Sequence, residues 1–157
     1  MNKYLTIIIF FFFYLNSLRA EIVNEILILG NKRISEETIK IYGKIEKDKD
    51  YNEKDLNSII ENLYTTDFFE DIKVELKNNT LKIQLKEYPI IQQLIITGVA
   101  SNKRKDQIRD IIKLKEKRSF IKSYLAKDID LIKKLYSSIG YNSAIVETKV
   151  RKIDENN

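Results

Sequence analysis

The spacing of apolar residues changes several times along the chain, and each change predicts an element. Residues 22–29 form a β-rich run that closes at Gly30-Asn31, which reads as a strand and a turn. Ser35-Glu36-Glu37-Thr38 then starts a helix. Ser35 can cap it, two acids stand where the helix dipole favours them, and Ile34 and Ile39 make a hydrophobic staple. This helix ends near Gly43, and residues 48–51 read as a polar turn. Asn52 caps a second helix, in which Leu56, Ile59, Ile60, Leu63 and Tyr64 make one apolar stripe. After Phe69 the period falls to two. Ile72, Val74 and Leu76 alternate with Asp71, Lys73, Glu75 and Lys77; Asn78-Asn79 makes a two-residue turn; Leu81, Ile83 and Leu85 alternate with Lys82, Gln84 and Lys86. Residues 22–87 therefore predict β-α-α-β-β, with helices over one face of a small sheet.

After Glu87-Tyr88-Pro89 the pattern begins again. Residues 90–97 predict a strand ending at Gly98, 103–113 a short helix, 120–138 a longer helix with Leu125, Ile129, Ile132, Leu135 and Tyr136 in its stripe, and 142–150 a strand. The repeat shows in the letters. LYTTDFFEDIKVEL at 63–76 lies over LYSSIGYNSAIVET at 135–148, at a spacing of about seventy residues. Leu-Tyr repeats, Ser-Ser stands for Thr-Thr, Tyr141 takes the place of Phe69, and Val146-Glu147 matches Val74-Glu75. The second copy stops where the first makes its hairpin turn, so its last strand is expected to be missing and the chain to be a fragment or truncated product.

The first twenty residues have a different character. Lys3 precedes an apolar run from Leu5 to Leu15, broken only by Thr6, and Ala20 suits a cleavage point. The run is about half the ~20 residues of a membrane span and has the length of a signal-peptide core. The expected organisation is a signal peptide at 1–20, one domain at 21–88 and an incomplete one at 89–157. Export without any cysteine fits a bacterial periplasm better than a disulfide-stapled secreted module.

Composition narrows the chemistry. With neither histidine nor cysteine, thiolate catalysis, histidine general bases and the usual zinc sites are excluded. The net charge is +5, or +3 once Lys3 and Arg19 leave with the signal, and it is spread among interspersed acids and bases. That does not point to nucleic acid. Gly30, Gly43, Gly98 and Gly140 form no phosphate-binding loop, and no G-x-x-G joins the helices as in an RNA-binding KH module. Thr65, Thr66, Asp67 and Glu70 could suggest a carboxylate active site. In the repeat, however, Asp67 becomes Ile139 and Glu70 becomes Asn142, while the apolar positions persist. Packing explains that better than catalysis. No catalytic, cofactor or metal residue is expected, and no small-molecule substrate. Arg33 is either a loop residue or a partner contact.

Three motifs carry a resemblance: Gly30-Asn31-Lys32-Arg33-Ile34-Ser35, Leu63-Tyr64-x-Thr66-x-Phe68-Phe69-Glu70-Asp71, and Glu87-x-Pro89. They resemble the POTRA (polypeptide-transport-associated) domains of Omp85-type outer-membrane proteins, closely over 22–98 and more loosely beyond, where Gly98-Val99-Ala100 departs from the usual Gly-Asn. The resemblance implies an α+β fold of tandem units, each a three-stranded mixed sheet with two helices on one face and the third strand in the middle. It implies a periplasmic, non-enzymatic scaffold that engages unfolded outer-membrane β-barrel proteins and accessory lipoproteins, with membrane attachment through a barrel missing here. The strand 71–77 (Asp71, Ile72, Lys73, Val74, Glu75, Leu76, Lys77) would be a sheet edge open to an extended client. Gly30, Asn31, Arg33, Ile34, Leu63, Tyr64, Phe68, Phe69, Pro89, Gly98, Leu135 and Tyr136 are the expected structural positions. A translocation-assembly or two-partner-secretion transporter is the alternative within the family. An exported carboxylate-dependent enzyme is the alternative outside it.

Overall fold

The structure is a computed structural model that describes residues 21–153. The expected signal peptide at 1–20 lies outside the described residues. Two compact units appear, one holding residues up to Thr65 together with 72–85, the other 66–71 together with the chain from Lys86.

In the first unit the run at 22–29 divides into two strands, β1 (Glu21–Ile22) and β2 (Glu25–Leu29), rather than the single strand expected. The break is set by partners far along the chain. Val23 exchanges backbone bonds with Asp48 and Lys49 at 2.8 and 3.0 Å, while the N–H of Asn24 turns to the carbonyl of Asn79 at 2.8 Å. Helix α1 (Glu36–Gly43) starts at Ser35, whose hydroxyl accepts from the Thr38 N–H at 3.2 Å. The stretch expected to be a polar turn contains strand β3 (Asp50–Tyr51), antiparallel to β1. Tyr51 is buried there, and its hydroxyl accepts from the Glu46 N–H and donates to the Glu46 carbonyl. Alone among polar neighbours, one aromatic ring gave no period to read.

Helix α2 (Glu53–Tyr64) carries a full capping box between Asn52 and Asp55 and buries Ile59 and Leu63. Strands β4 (Phe69–Lys77) and β5 (Thr80–Glu87) form the predicted hairpin. Asn78 and Asn79 both take positive φ, 51° and 61°, as a type I′ turn requires. The sheet order is β2-β5-β4, with β5 in the middle and parallel to β2. Leu81, Ile83 and Leu85 of β5 turn inward beside Ile28, Ile39 and Leu63 in the core. Burying one such side chain is worth about 1.5–3 kcal/mol.

The second unit has the expected helices, α3 (Asn102–Ile111) and α4 (Lys122–Ser138), but not the expected strands. Among the described residues, 90–97 and 142–150 make no ladder; Ile90 forms one isolated bridge to Ser119. The first unit supplies the reason. Its outer strands pair with the middle strand and not with each other. Segments 90–97 and 142–150 correspond to those outer strands, and among the described residues nothing stands between them in the place of β5.

The repeat is nonetheless visible in the backbone. Ile91 bonds Lys117 and Arg118 at 2.7 and 2.9 Å, as Val23 bonds Asp48 and Lys49. Asp48 and Lys117 both have φ of 60°. Ile22 faces Asp50 as Ile90 faces Ser119.

Candidate functional site

Strand β4 ends the sheet order, so one of its long sides has no neighbouring strand among the described residues. Its residues alternate: Phe69 and Ile72 are buried, Val74 and Leu76 half-buried, Lys73, Glu75 and Lys77 exposed. Such an edge can extend its ladder to an incoming strand through backbone groups alone, with the charged row limiting indiscriminate pairing. Strand β2 is the other end of the sheet, and its outward Leu27 and Leu29 are half exposed.

The hydroxyls and acids before β4 have structural partners. Thr65 donates to the Asn62 carbonyl at 2.7 Å, and Thr66 accepts from the Phe68 N–H at 3.2 Å. Asp67 takes a left-handed φ of 58° and accepts from the Tyr124 hydroxyl at 2.8 Å. That bond, helped by burial and by the charge of Asp67, holds the Tyr124 phenol above its ordinary range. Lys113 sits 4.7 Å over the same ring. Glu70 pairs with Lys86 at 2.7 Å and raises its ammonium pKa. The four residues that suggested catalysis are occupied in closing a helix, shaping a turn and making surface pairs.

The remaining sequence-marked positions lie partly in turns and the core and partly on the surface. Gly30 has φ of 86°, and a Cβ there would meet the Leu85 carbonyl oxygen at 2.1 Å. Asn31 donates to the Ile34 carbonyl at 3.1 Å, and Arg33 is exposed. Leu63 and Phe69 are buried, Phe68 meets Phe69 edge-on, and Tyr64 is exposed. The Pro89 carbonyl accepts from Phe120. Tyr136 meets Tyr141 edge-on, and Leu135 is half-buried. Sequence reading missed Asp128. It is buried on α4 and accepts from the backbone N–H groups of Lys113 and Leu114 at 2.7 and 2.9 Å, fixing the chain as it leaves α3. An acid on the core side of a helical stripe was the available signal.

Comparison with known proteins agrees with this geometry. Residues 89–157 match the POTRA family, described as "Surface antigen variable number repeat". The chain is 28% identical over 138 residues to the outer membrane protein assembly factor BamA of Neorickettsia risticii, covering 88% of this chain and 19% of that protein. It is 28% identical over 137 residues to BamA of Neisseria meningitidis, covering 85% of this chain and 17% of that one. The chain thus spans less than a fifth of the length of these relatives. The solved POTRA1-2 of the periplasmic domain of Omp85 from Anabaena superposes with a TM-score of 0.52 at 16% identity, covering 89% of this chain and 92% of that one. Motif, fold and relatives point the same way: residues 89–157 match the POTRA family, and most of the chain is similar to BamA proteins and has the fold of Omp85 POTRA domains.

Proposed function

We propose that the chain is a periplasmic, non-catalytic scaffold for outer-membrane protein assembly. It engages unfolded β-barrel proteins along residues 71–77 of β4 and offers its remaining surface to accessory lipoproteins. The observation that carries this reading is the place of β4 at the end of the sheet order. An extended client adds there as a further strand, held by main-chain bonds that demand no particular client sequence. Similarity to two outer-membrane assembly factors supports the setting. The polar groups of Thr65, Thr66 and Asp67, bonded within the fold, support a role in binding rather than catalysis.

The test places a photo-crosslinking residue at Lys73, Glu75 or Lys77, and as a control at Lys54 on α2. Unfolded barrel protein should crosslink from the three β4 positions and much less from Lys54. Equal yields from all four would refute the edge reading.

A further inference from the structure

The interspersed charges of the sequence are sorted by position in the fold. Residues 101–134 hold twelve Lys and Arg against five Asp and Glu, a net +7, where the whole chain carries +5. Five of the bases, Lys113, Lys115, Lys117, Arg118 and Lys122, stand on the loop that leaves α3 and opens α4, and all five are exposed. Buried Ile112, Leu114 and Ile121 anchor this loop, and Ile91 exchanges backbone bonds with Lys117 and Arg118. Its acids are turned to backbone groups. Asp128 is buried against the N–H groups of Lys113 and Leu114, and Glu116 accepts from the Leu94 N–H at 2.9 Å. Asp106 pairs with Arg109 at 2.9 Å, Asp67 accepts from Tyr124, and Asp110 and Asp130 stand exposed on the helices.

The first repeat shows that the fold does not require these bases. Residues 44–53 (KIEKDKDYNE) lie over 113–122 (KLKEKRSFIK). Ile45 and Leu114 are both buried, Asp48 and Lys117 share a φ of 60°, and Glu53 and Lys122 each open a helix. The first loop has three bases and four acids, net −1; the second has five bases and one acid, net +4. Three positions reverse sign: Glu46 becomes Lys115, Asp48 becomes Lys117 and Glu53 becomes Lys122. Two of these reversals run against local preference. Left-handed φ suits Asp better than Lys, and the first turn of a helix favours an acid. Bases kept on the surface at a local cost, where packing does not use them, point to a partner of negative charge.

We propose that residues 113–122 dock the second unit on an anionic phospholipid surface. Four of the five bases are lysines, whose compact ammonium on a flexible stem meets a phosphate as a point charge. A shaped protein partner with carboxylates favours the planar fork of arginine instead. Each Lys or Arg held at an anionic bilayer strengthens binding about fivefold, so five together act without a pocket. The attraction acts over a Debye length of about 8 Å at physiological salt. The proposal rests on the reading above that the chain works at the periplasmic face of the outer membrane, where a phospholipid leaflet is within reach. It assigns a surface separate from β4.

The test adds the 157-residue chain to vesicles of mixed phosphatidylglycerol and phosphatidylcholine, and to vesicles of phosphatidylcholine alone. The apolar run at 5–15 is common to every variant, so the readouts are the ratio of the two affinities and hydrogen exchange at 113–122. Exchange at 113–122 should slow on the anionic vesicles only, and the ratio should fall as salt is raised. The triple variant Lys115→Glu, Lys117→Asp, Lys122→Glu gives this loop the first repeat's residues and should lower the ratio about a hundredfold or more, with circular dichroism retained. Lys44→Glu, Lys47→Glu, Lys54→Glu changes the net charge equally in the first unit and should lower it less than about fivefold. Equal losses in the two triple variants, equal slowing on neutral vesicles, or a ratio indifferent to salt would overturn the docking face. Stronger slowing with polyglutamate than with vesicles would overturn it in favour of an acidic protein. Crosslinking from β4 without a preference for anionic vesicles would sink the docking face alone; that preference without crosslinking would sink the edge reading alone.

Discussion

Gly30→Ala is the sharpest probe of how the first unit is held together. The added Cβ meets the Leu85 carbonyl oxygen at 2.1 Å, and that atom is backbone in the middle strand, so it cannot swing aside. Left-handed φ for alanine adds about 1–2 kcal/mol. Separating the end of β2 from β5 to relieve the contact sacrifices about two ladder bonds, each worth about 0.5–1.5 kcal/mol net. The expected loss is therefore about 2–5 kcal/mol. Gly98→Ala is the internal control. It carries the same backbone penalty, because its φ is 73°, but no contact. It should destabilise the second unit by only about 1–2 kcal/mol. Native-state hydrogen exchange reads both: residues 25–29 and 80–87 for Gly30→Ala, α4 for Gly98→Ala. Equal losses in the two variants would refute the claim that backbone contact with the middle strand, rather than φ alone, makes Gly30 necessary.

Asp128→Ala leaves the N–H groups of Lys113 and Leu114 without their acceptor. At about 1–3 kcal/mol for each orphan, the Leu114 N–H buried and the Lys113 N–H part-buried, the second unit should lose about 2–6 kcal/mol in urea unfolding. A loss below 1 kcal/mol would mean that water replaces the carboxylate. Tyr124 carries a phenol pKa raised in the fold above the ordinary 10.0. Its bond to Asp67 therefore contributes fully below pH 10.0 and is lost as pH rises through the higher folded value. Tyr124→Phe should remove a late-titrating phenol from the ultraviolet titration and flatten that part of the alkaline stability curve; an unchanged titration would show that the bond does not form in solution. In the 157-residue chain, amides of 93–97 and 142–150 should exchange faster than those of β2 and β4, because among the described residues they form no ladder. Equal protection would contradict the missing ladder.

The sequence by itself determined the elements whose causes are local. Ser35 and Asn52 marked two helix starts, the apolar stripe of α2 marked its buried face, and the alternation around Asn78-Asn79 marked a hairpin whose turn residues both take positive φ. The likeness of 63–76 to 135–148 pointed away from Asp67 and Glu70 as catalysts, and both acids have structural partners. The resemblance added that the third strand lies in the middle, which residue periods do not state, and β5 lies there. Other features depended on residues distant in sequence. The division of 22–29 into β1 and β2 follows from bonds to Lys49 and Asn79. The pairing of Asp67 with Tyr124 spans 57 positions, and Asp128 reaches back to the exit of α3. Whether a run of β-forming residues becomes a strand was also decided in three dimensions. Residues 25–29 and 93–97 have the same pattern, but among the described residues only the first has a neighbouring strand to receive its backbone bonds. A strand is completed by its partner, and a partner's position is a property of the tertiary structure.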